Sequence, residues 1–210
     1  MKKIILFDMD GTLLNTVPAL SMSLEESFKH YFPNREYKVC NKEFKAAVSY
    51  GRDALASVAF NTKTPDKEWG LYAETIYSKI MLKNTTFFEG IEDILQMLID
   101  KNIKYGIVTS KPYYLTSQLC KNNTFLRSSS IIVCPEDVTN KKPDPESLIL
   151  ACDRSGFEIK EAIYIGDSDS DIYAANACDM DSILVKYGYL PSNIDIDKLN
   201  PTYIAETPKA

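Results

Sequence analysis

The sequence predicts an α/β fold in which a doubly wound parallel sheet carries an inserted helical domain. Three observations in the 210 residues lead to this fold class. Short apolar runs of strand length recur along the chain. Helical patterns alternate with these runs, as in proteins whose helices cover both faces of a parallel sheet. One stretch of about 70 residues contains helical patterns only, which is long enough for a small domain of its own.

The apolar runs are the predicted strands. Their continuous apolar character is typical of parallel strands buried on both faces, since a half-exposed strand would alternate apolar with polar residues. Five such runs are present: Ile4–Phe7, Tyr105–Val108, Ile131–Val133, Ala162–Ile165 and Ile183–Val185.

Helices are predicted between these strands. Apolar residues at positions 91, 94, 95 and 98 recur at the spacing of one helix face, which predicts a helix within residues 90–101. A second helix is predicted over Pro145–Ser155, with Asp144 as its N-cap and Gly156 as its C-terminal stop. A third is predicted over Asp169–Ala177.

Residues 16–85 interrupt the alternation of strands and helices. This stretch contains helical patterns and no convincing strand, and its helices are predicted at Leu20–Tyr31, Asn41–Val48, Arg52–Phe60 and Asp66–Leu82. We therefore expect a helical cap domain over residues 16–85, inserted into a core domain formed by residues 1–15 and 86–210.

The composition excludes several classes of protein. With a net charge of −5, the chain lacks the basic balance expected of a nucleic-acid-binding protein. The apolar run after Met1-Lys2-Lys3 is interrupted by Asp8, whereas a signal peptide needs roughly 7–15 apolar residues and a membrane span about 20. We expect a cytoplasmic protein that binds neither nucleic acid nor membranes.

Polar residues follow four of the predicted strands. Because ligands bind at the carboxyl ends of strands in open α/β sheets, this shared placement indicates one site. In strand order, the residues are Asp8 and Asp10, then Thr109 and Ser110, then Lys141 and Lys142, then Asp167 with Asp169 and Asp171.

The acidic members of this set suit phosphate chemistry. Asp8, Asp10 and Asp167 would repel one another, and a hard cation such as Mg²⁺ with its preference for oxygen ligands relieves the repulsion. Asp8 could then attack a phosphoryl group and form an aspartyl-phosphate. Asp10 could protonate the leaving oxygen and later activate a water molecule.

The remaining members could hold the phosphate. The Thr109 hydroxyl and the Ser110 backbone N–H are suitable donors to phosphate oxygens. A lysine ammonium, from Lys141 or Lys142, would offset the repulsion between an anionic nucleophile and an anionic phosphate.

Four segments resemble the motifs of the haloacid dehalogenase superfamily, in the phosphoglycolate phosphatase-like branch with a helical, C1-type cap. The resemblance covers nearly the whole chain and implies a Rossmann-like core. The segments are Asp8-Met9-Asp10-Gly11-Thr12-Leu13, Thr109-Ser110-Lys111-Pro112, Lys142-Pro143-Asp144-Pro145 and Gly166-Asp167-Ser168 with Asp171.

The resemblance implies a role for each matching residue. Asp8 is the nucleophile and a metal ligand. Asp10 is the general acid/base, and its main-chain carbonyl is a second ligand. Thr109, Ser110 and Lys142 bind phosphate, and Lys142 is preferred to Lys141 because it directly precedes Pro143. Asp167 is a metal ligand, and Asp171 either supports the metal through water or positions the lysine.

Two further positions carry expectations. Arg52 could bind a substrate carboxylate or second phosphate through two hydrogen bonds, although a solvent-exposed arginine at a helix start is an equally good interpretation. Asp179 stands where the family usually has glycine. Because aspartate tolerates the left-handed conformation better than most residues, we expect the turn to persist.

The predicted activity is Mg²⁺-dependent hydrolysis of a small phosphorylated metabolite resembling phosphoglycolate. A sugar phosphate, a nucleotide or pyrophosphate is an alternative substrate. A dehalogenase would not need Asp10. A phosphomutase typically has a histidine where Leu20 stands. A regulatory binding protein on the same fold is the alternative from another class, and the sequence leaves the oligomeric state open.

Overall fold

The structure, a computed structural model, describes residues 2–39, 41–191 and 194–209. Its main sheet has six strands, and all neighbouring strands run parallel. With its flanking helices, this sheet confirms the predicted α/β class. In sheet order the strands are β5 (Ile131–Val133), β4 (Lys104–Val108), β1 (Ile4–Phe7), β6 (Ala162–Gly166), β7 (Asp181–Val185) and β8 (Tyr203–Ala205).

Five of these strands correspond to the predicted apolar runs, and β8 was not predicted. The side chains of Tyr203 and Ile204 are about half exposed. β8 is a three-residue strand at the edge of the sheet, and its apolar sequence Tyr-Ile-Ala was not recognised as a strand.

The register of β1 determines which residues leave the sheet together. Phe7 pairs with Ile107 of β4 on one side and with Ile165 of β6 on the other. The three strands therefore end at nearly the same level, and the segments that follow them start side by side.

Outside residues 15–86, six α-helices of the described chain flank the six-stranded sheet. Of the predicted helix face, Ile91, Leu95 and Leu98 are buried and Ile94 is partly buried. The helices are α5 (Ile91–Asp100), α6 (Tyr113–Asn122), α7 (Thr124–Arg127), α8 (Glu146–Ser155), α9 (Asp169–Ala177) and α10 (Ile196–Leu199). Of these, α6, α7 and α10 were not predicted.

The predicted ends of α8 and α9 differ from the structure in detail. Helix α8 begins at Glu146, one residue later than predicted, and Asp144 accepts a hydrogen bond from the Glu146 N–H at 3.0 Å. Gly156 ends it in the left-handed conformation, as predicted. Beyond α9, Asp179 has φ +54°, which confirms the expected left-handed turn without glycine.

Residues 15–86 form a second compact unit, called the helical unit below, and residues 1–14 and 87–210 form the core unit. The two short strands β2 (Leu14–Asn15) and β3 (Thr86–Phe87) pair where the chain passes between the units. The assignment of residues 16–85 to a cap domain stays a prediction.

The helical unit has an aromatic centre. Phe60 stacks on Trp69 with ring centroids 4.5 Å apart, and Phe28 packs against Phe60 at 5.4 Å. Its helices are α1 (Val17–Tyr31), α2 (Asn41–Val48), α3 (Arg52–Ala59) and α4 (Lys67–Asn84). Within the described residues, no helix combines the length and apolar character needed to cross a membrane.

Candidate active site

Asp8 lies immediately after β1 and is almost fully buried. Its backbone N–H continues the parallel ladder by donating to the Ile165 carbonyl at 2.8 Å. Its carboxylate accepts a hydrogen bond from Lys142 Nζ at 2.9 Å. The strand thus fixes the backbone of the predicted nucleophile, and the lysine fixes one of its oxygens.

Lys142 is buried among acceptors, with only 4% of its side chain exposed. Its three shortest contacts use the three donors of the ammonium: Asp8 Oδ1 at 2.9 Å, Tyr164 Oη at 2.8 Å and Asp171 Oδ1 at 2.6 Å. Burial lowers the pKa of Lys142, but the carboxylates of Asp171 and Asp8 raise it by more than burial lowers it. The net result is a pKa above the usual range. The side chain therefore stays an ammonium.

Asp171 anchors this lysine. Its Oδ1 accepts from Lys142, and its Oδ2 accepts from the Ser168 N–H at 3.0 Å and the Ser168 hydroxyl at 2.6 Å. Ser168 is also the N-cap of α9, so the helix start holds the carboxylate in place. Since both oxygens of Asp171 are engaged within the protein, the contacts favour its lysine-positioning role over a role at the metal.

Tyr164 is a member of the site that the sequence analysis missed. It lies on β6, is fully buried, and its hydroxyl lies 2.9 Å from the Val108 carbonyl and 3.0 Å from Asp171 Oδ1. Burial, with the negative charges of Asp171 and Asp8, raises its pKa well above the usual value, so it stays protonated. A tyrosine two residues before Gly166, inside an apolar strand, was the available signal.

Asp167 follows β6 and is 1% exposed. Its Oδ2 accepts from the Tyr189 N–H at 2.7 Å. Gly11 and Gly188 lie so close that a Cβ at either would overlap Asp167. Burial raises the pKa of Asp167 well above its usual value, and the charges of Asp8 and Asp171 raise it further.

The buried carboxylates of the site lie close together, and their burial opposes ionisation. Burial raises the pKa of Asp8 to about 7, against the lowering effect of Lys142. Ligand oxygens of Asp8, Asp167 and Asp171 all lie within 4.8 Å of one another. An all-oxygen donor set of clustered carboxylates fits a hard divalent cation. Metal ligation by Asp8 and Asp167 stays a prediction.

Asp10 lies in the turn after β1. A bridge to Leu14 and a hydrogen bond from the Gly11 N–H to the Leu14 carbonyl at 2.9 Å shape this turn. One oxygen of Asp10, Oδ2, lies 2.8 Å from Lys111 Nζ. Its other oxygen, Oδ1, is buried and has no hydrogen-bond partner in the described part of the chain. Lys111 belongs to the second motif, and no role was predicted for it.

The predicted phosphate-binding pair lies in the loop after β4. Thr109 is buried, and its hydroxyl accepts from the Lys111 N–H at 3.1 Å. Ser110 is exposed. The structure thus places both residues beside the carboxyl end of β4, while their contact with phosphate stays a prediction.

Two other candidate residues remain. Lys141 is exposed, in contrast to its buried neighbour Lys142. Arg52 begins α3 in the helical unit, where its guanidinium lies 3.1 Å from Glu74 and 3.6 Å from Asp53. Its role toward substrate stays a prediction.

Comparison with known proteins identifies the family. The model of the haloacid dehalogenase-like hydrolases matches residues 5–185. An N-acetylmuramic acid 6-phosphate phosphatase of Pseudomonas aeruginosa is 31% identical over 195 residues, covering 90% of this chain and 83% of the relative. A phosphoglycolate phosphatase of Xanthomonas campestris pv. campestris is 29% identical over 188 residues, covering 88% and 83%.

Solved structures share the fold. A protein from Haemophilus somnus, described as a predicted phosphoglycolate phosphatase, has a TM-score of 0.83 at 22% identity, covering 99% of this chain and 95% of that one. A haloacid dehalogenase-like hydrolase from Bacteroides fragilis has a TM-score of 0.79 at 25% identity, covering 99% and 98%. The chain therefore belongs to the haloacid dehalogenase-like hydrolases, and its curated relatives are phosphatases of that family.

Proposed function

We propose that the protein is a Mg²⁺-dependent phosphatase that hydrolyses a small phosphorylated metabolite through an aspartyl-phosphate on Asp8. The observation that carries the proposal is the position of the Asp8 carboxylate. It lies at the end of the central strand, 2.9 Å from a buried ammonium, and shares a group of closely spaced oxygens with Asp167. This arrangement brings a nucleophile, a cation and a metal-binding carboxylate together.

The reaction has two steps. In the first, a carboxylate oxygen of Asp8 bonds to phosphorus, the bond from phosphorus to the ester oxygen breaks, and Asp10 gives its proton to that oxygen. In the second, water attacks the phosphorus, Asp10 takes a proton from the water, and the bond between Asp8 and phosphorus breaks. The products are an alcohol and inorganic phosphate, and Asp8 is regenerated.

The remaining residues manage charge. Asp8, Asp167 and the main-chain carbonyl of Asp10 would hold Mg²⁺, which supplies positive charge for the phosphate oxygens. Lys142 supplies a second positive charge beside Asp8. Thr109 and the Ser110 N–H would orient the phosphate.

For the substrate, we propose a phosphate monoester that also carries a carboxylate. The two relatives are named as phosphatases of phosphoglycolate and of N-acetylmuramic acid 6-phosphate, and both compounds carry a carboxylate. Phosphoglycolate-like esters are our first candidate, and the 31% identity of the other relative makes the sugar phosphate the second. Arg52, which already pairs with a carboxylate in Glu74, is the residue proposed to bind the substrate carboxylate.

We place the activity in the cytoplasm, where buried thiols such as Cys134 and Cys152 stay reduced.

The test is turnover by the purified protein. We expect Mg²⁺-dependent hydrolysis of 4-nitrophenyl phosphate that EDTA abolishes, and the highest kcat/KM on a carboxylate-bearing ester within a panel that also contains nucleotides and pyrophosphate. Asp8→Asn should lower turnover on the order of 10⁴-fold or more, because the nucleophile is lost, while the circular dichroism spectrum stays unchanged. Rapid acid quenching should trap phosphate on Asp8 in the wild type.

Two results would contradict the proposal. Retained turnover in Asp8→Asn would remove the assigned nucleophile. An absence of turnover on the entire panel, with phosphate esters still binding, would favour the regulatory binding protein instead.

A further inference from the structure

We propose that Lys111 is a positioning residue for Asp10: its ammonium holds one oxygen of the Asp10 carboxylate, so that the other oxygen is presented to the leaving group. The inference rests on the proposed phosphatase function and assigns a role to a residue that the mechanism above does not use. Its basis is the distance of 2.8 Å between Lys111 Nζ and Asp10 Oδ2.

Burial makes this ion pair unusual. Lysines are almost never fully buried unless they are paired, because removing an ammonium from water is costly. The Lys111 side chain is 4% exposed, whereas Asp10 is 18% exposed. A flexible surface pair would restrict neither partner, but a buried lysine has few alternative positions and can therefore fix the carboxylate that it contacts.

The base of Lys111 is itself fixed. Its backbone N–H donates to the Thr109 hydroxyl at 3.1 Å, and its carbonyl accepts from the Thr116 hydroxyl on α6 at 3.2 Å. Both hydroxyls belong to buried residues. The loop after β4 thus presents the ammonium from a defined position.

Asp10 shows the complementary asymmetry. Oδ2 is held by Lys111, while Oδ1 is buried and lacks a hydrogen-bond partner among the described residues. A buried polar atom without a partner is uncommon and usually has a functional reason. A general acid needs one oxygen in a fixed place and the other without a competing partner inside the protein, and the described contacts of this carboxylate meet that requirement.

Each of the two buried lysines contacts a different one of the two proposed catalytic carboxylates. Lys142 makes its short contacts with Asp8, Tyr164 and Asp171. Lys111 contacts Asp10 instead. The nucleophile and the general acid are therefore held by separate cations, and a change at Lys111 can affect the acid without removing the cation beside the nucleophile.

Leaving-group dependence tests this role. Alkyl phosphates need a proton on the departing oxygen, whereas 4-nitrophenolate leaves without one. We expect Lys111→Met to lower kcat/KM on a carboxylate-bearing alkyl phosphate by about 100-fold and on 4-nitrophenyl phosphate by less than about 3-fold. Lys111→Arg, which keeps charge and donors, should restore most of the alkyl phosphate activity. Lys104→Met, the same change at an exposed residue that begins β4, should match the wild type on both esters.

The contrary outcomes are distinct. Equal losses on both esters, or no loss on either, would overturn the positioning role. If Lys111→Met does not fold, Lys111→Gln replaces it with the same expectation.

Crystal structures provide a readout independent of turnover, because Asp10 should leave its side-chain rotamer in Lys111→Met and keep it in Lys111→Arg. A wild type inactive on both esters would refute the phosphatase function, while the rotamer of Asp10 would still decide whether Lys111 holds it.

Discussion

Lys142 controls the electrostatics of the site at the scale of single residues. Its ammonium is the cation shared by Asp8 and Asp171, and it accounts for three short contacts with buried oxygens. Removing it would leave carboxylates buried without a compensating charge. The loss of stability is larger than if both partners of the ion pair were replaced by apolar residues. A neighbouring lysine in the sequence provides a natural control, since Lys141 is exposed.

We predict that Lys142→Met lowers the free energy of unfolding by about 3–5 kcal/mol in the metal-free protein, because a buried ion pair loses one partner. Lys141→Met should change it by less than about 0.5 kcal/mol. Urea denaturation followed by circular dichroism measures both, and phosphatase activity should be lost only in Lys142→Met. Equal effects of the two variants would show that the burial of Lys142 has no energetic consequence.

At the scale of elements, the turn after β1 and the segment after β7 pack closely around Asp167. Gly11 has φ +89°, a conformation that side chains other than glycine rarely adopt, and a Cβ there would overlap the Asp167 carboxylate. Gly188 meets the same residue from the other segment. The Asp167 carboxylate is thus closely surrounded by the backbone of both segments.

We predict that Gly11→Ala abolishes tight Mg²⁺ binding, because the new methyl group displaces Asp167. Gly156→Ala is the matched control: Gly156 also has a positive φ, +73°, but no atom lies within 4 Å of its Cβ position. Both variants should lose about 1–2 kcal/mol from backbone strain, and Gly11→Ala should lose more because of the overlap with Asp167. Only Gly11→Ala should lose metal affinity by isothermal titration calorimetry, and unchanged affinity there would mean that Asp167 is not a ligand.

At the scale of the whole molecule, proton binding and stability are linked through Asp8 and Asp167. The pKa of Asp8 is raised by burial from 3.8 to about 7, and that of Asp167 is also raised. The folded protein therefore holds protons that the unfolded chain releases at the same pH. This contribution to stability is fully present below pH 3.8 and is lost as the pH rises through about 7.

We predict that the metal-free protein becomes less stable between pH 5 and 7, by up to about 1.4 kcal/mol per unit of pH for Asp8 alone. Asp8→Asn should flatten this dependence. A divalent cation needs the carboxylates deprotonated, so Mg²⁺ affinity should rise over the same interval and protons should be released on binding. Thermal unfolding with and without Mg²⁺, and calorimetry in two buffers, measure these effects. A pH-independent affinity would contradict the raised pKa values.

Much of the fold was predictable because its signals are local. The buried strands β1, β4, β5, β6 and β7 are apolar runs, and the helix at Ile91–Asp100 has one apolar face. The edge strand β8 was missed although Tyr203–Ala205 is apolar, because a run of three residues is a weak strand signal. The short helix Thr124–Arg127 was missed because four residues are too few to show a period.

The sequence by itself determined the fold class, the family motifs and the residues that gather at the carboxyl edge of the sheet, since strand order along the chain and parallel pairing suffice for these. Only the tertiary structure decided which cation meets which carboxylate. Lys111 and Lys142 both follow strands, yet one contacts Asp10 and the other Asp8. Such pairings depend on the packing of loops that are distant in sequence. The Lys142 pairing also involves the hydroxyl of Tyr164, and a tyrosine inside an apolar strand pattern does not reveal that its hydroxyl contacts Lys142 and Asp171.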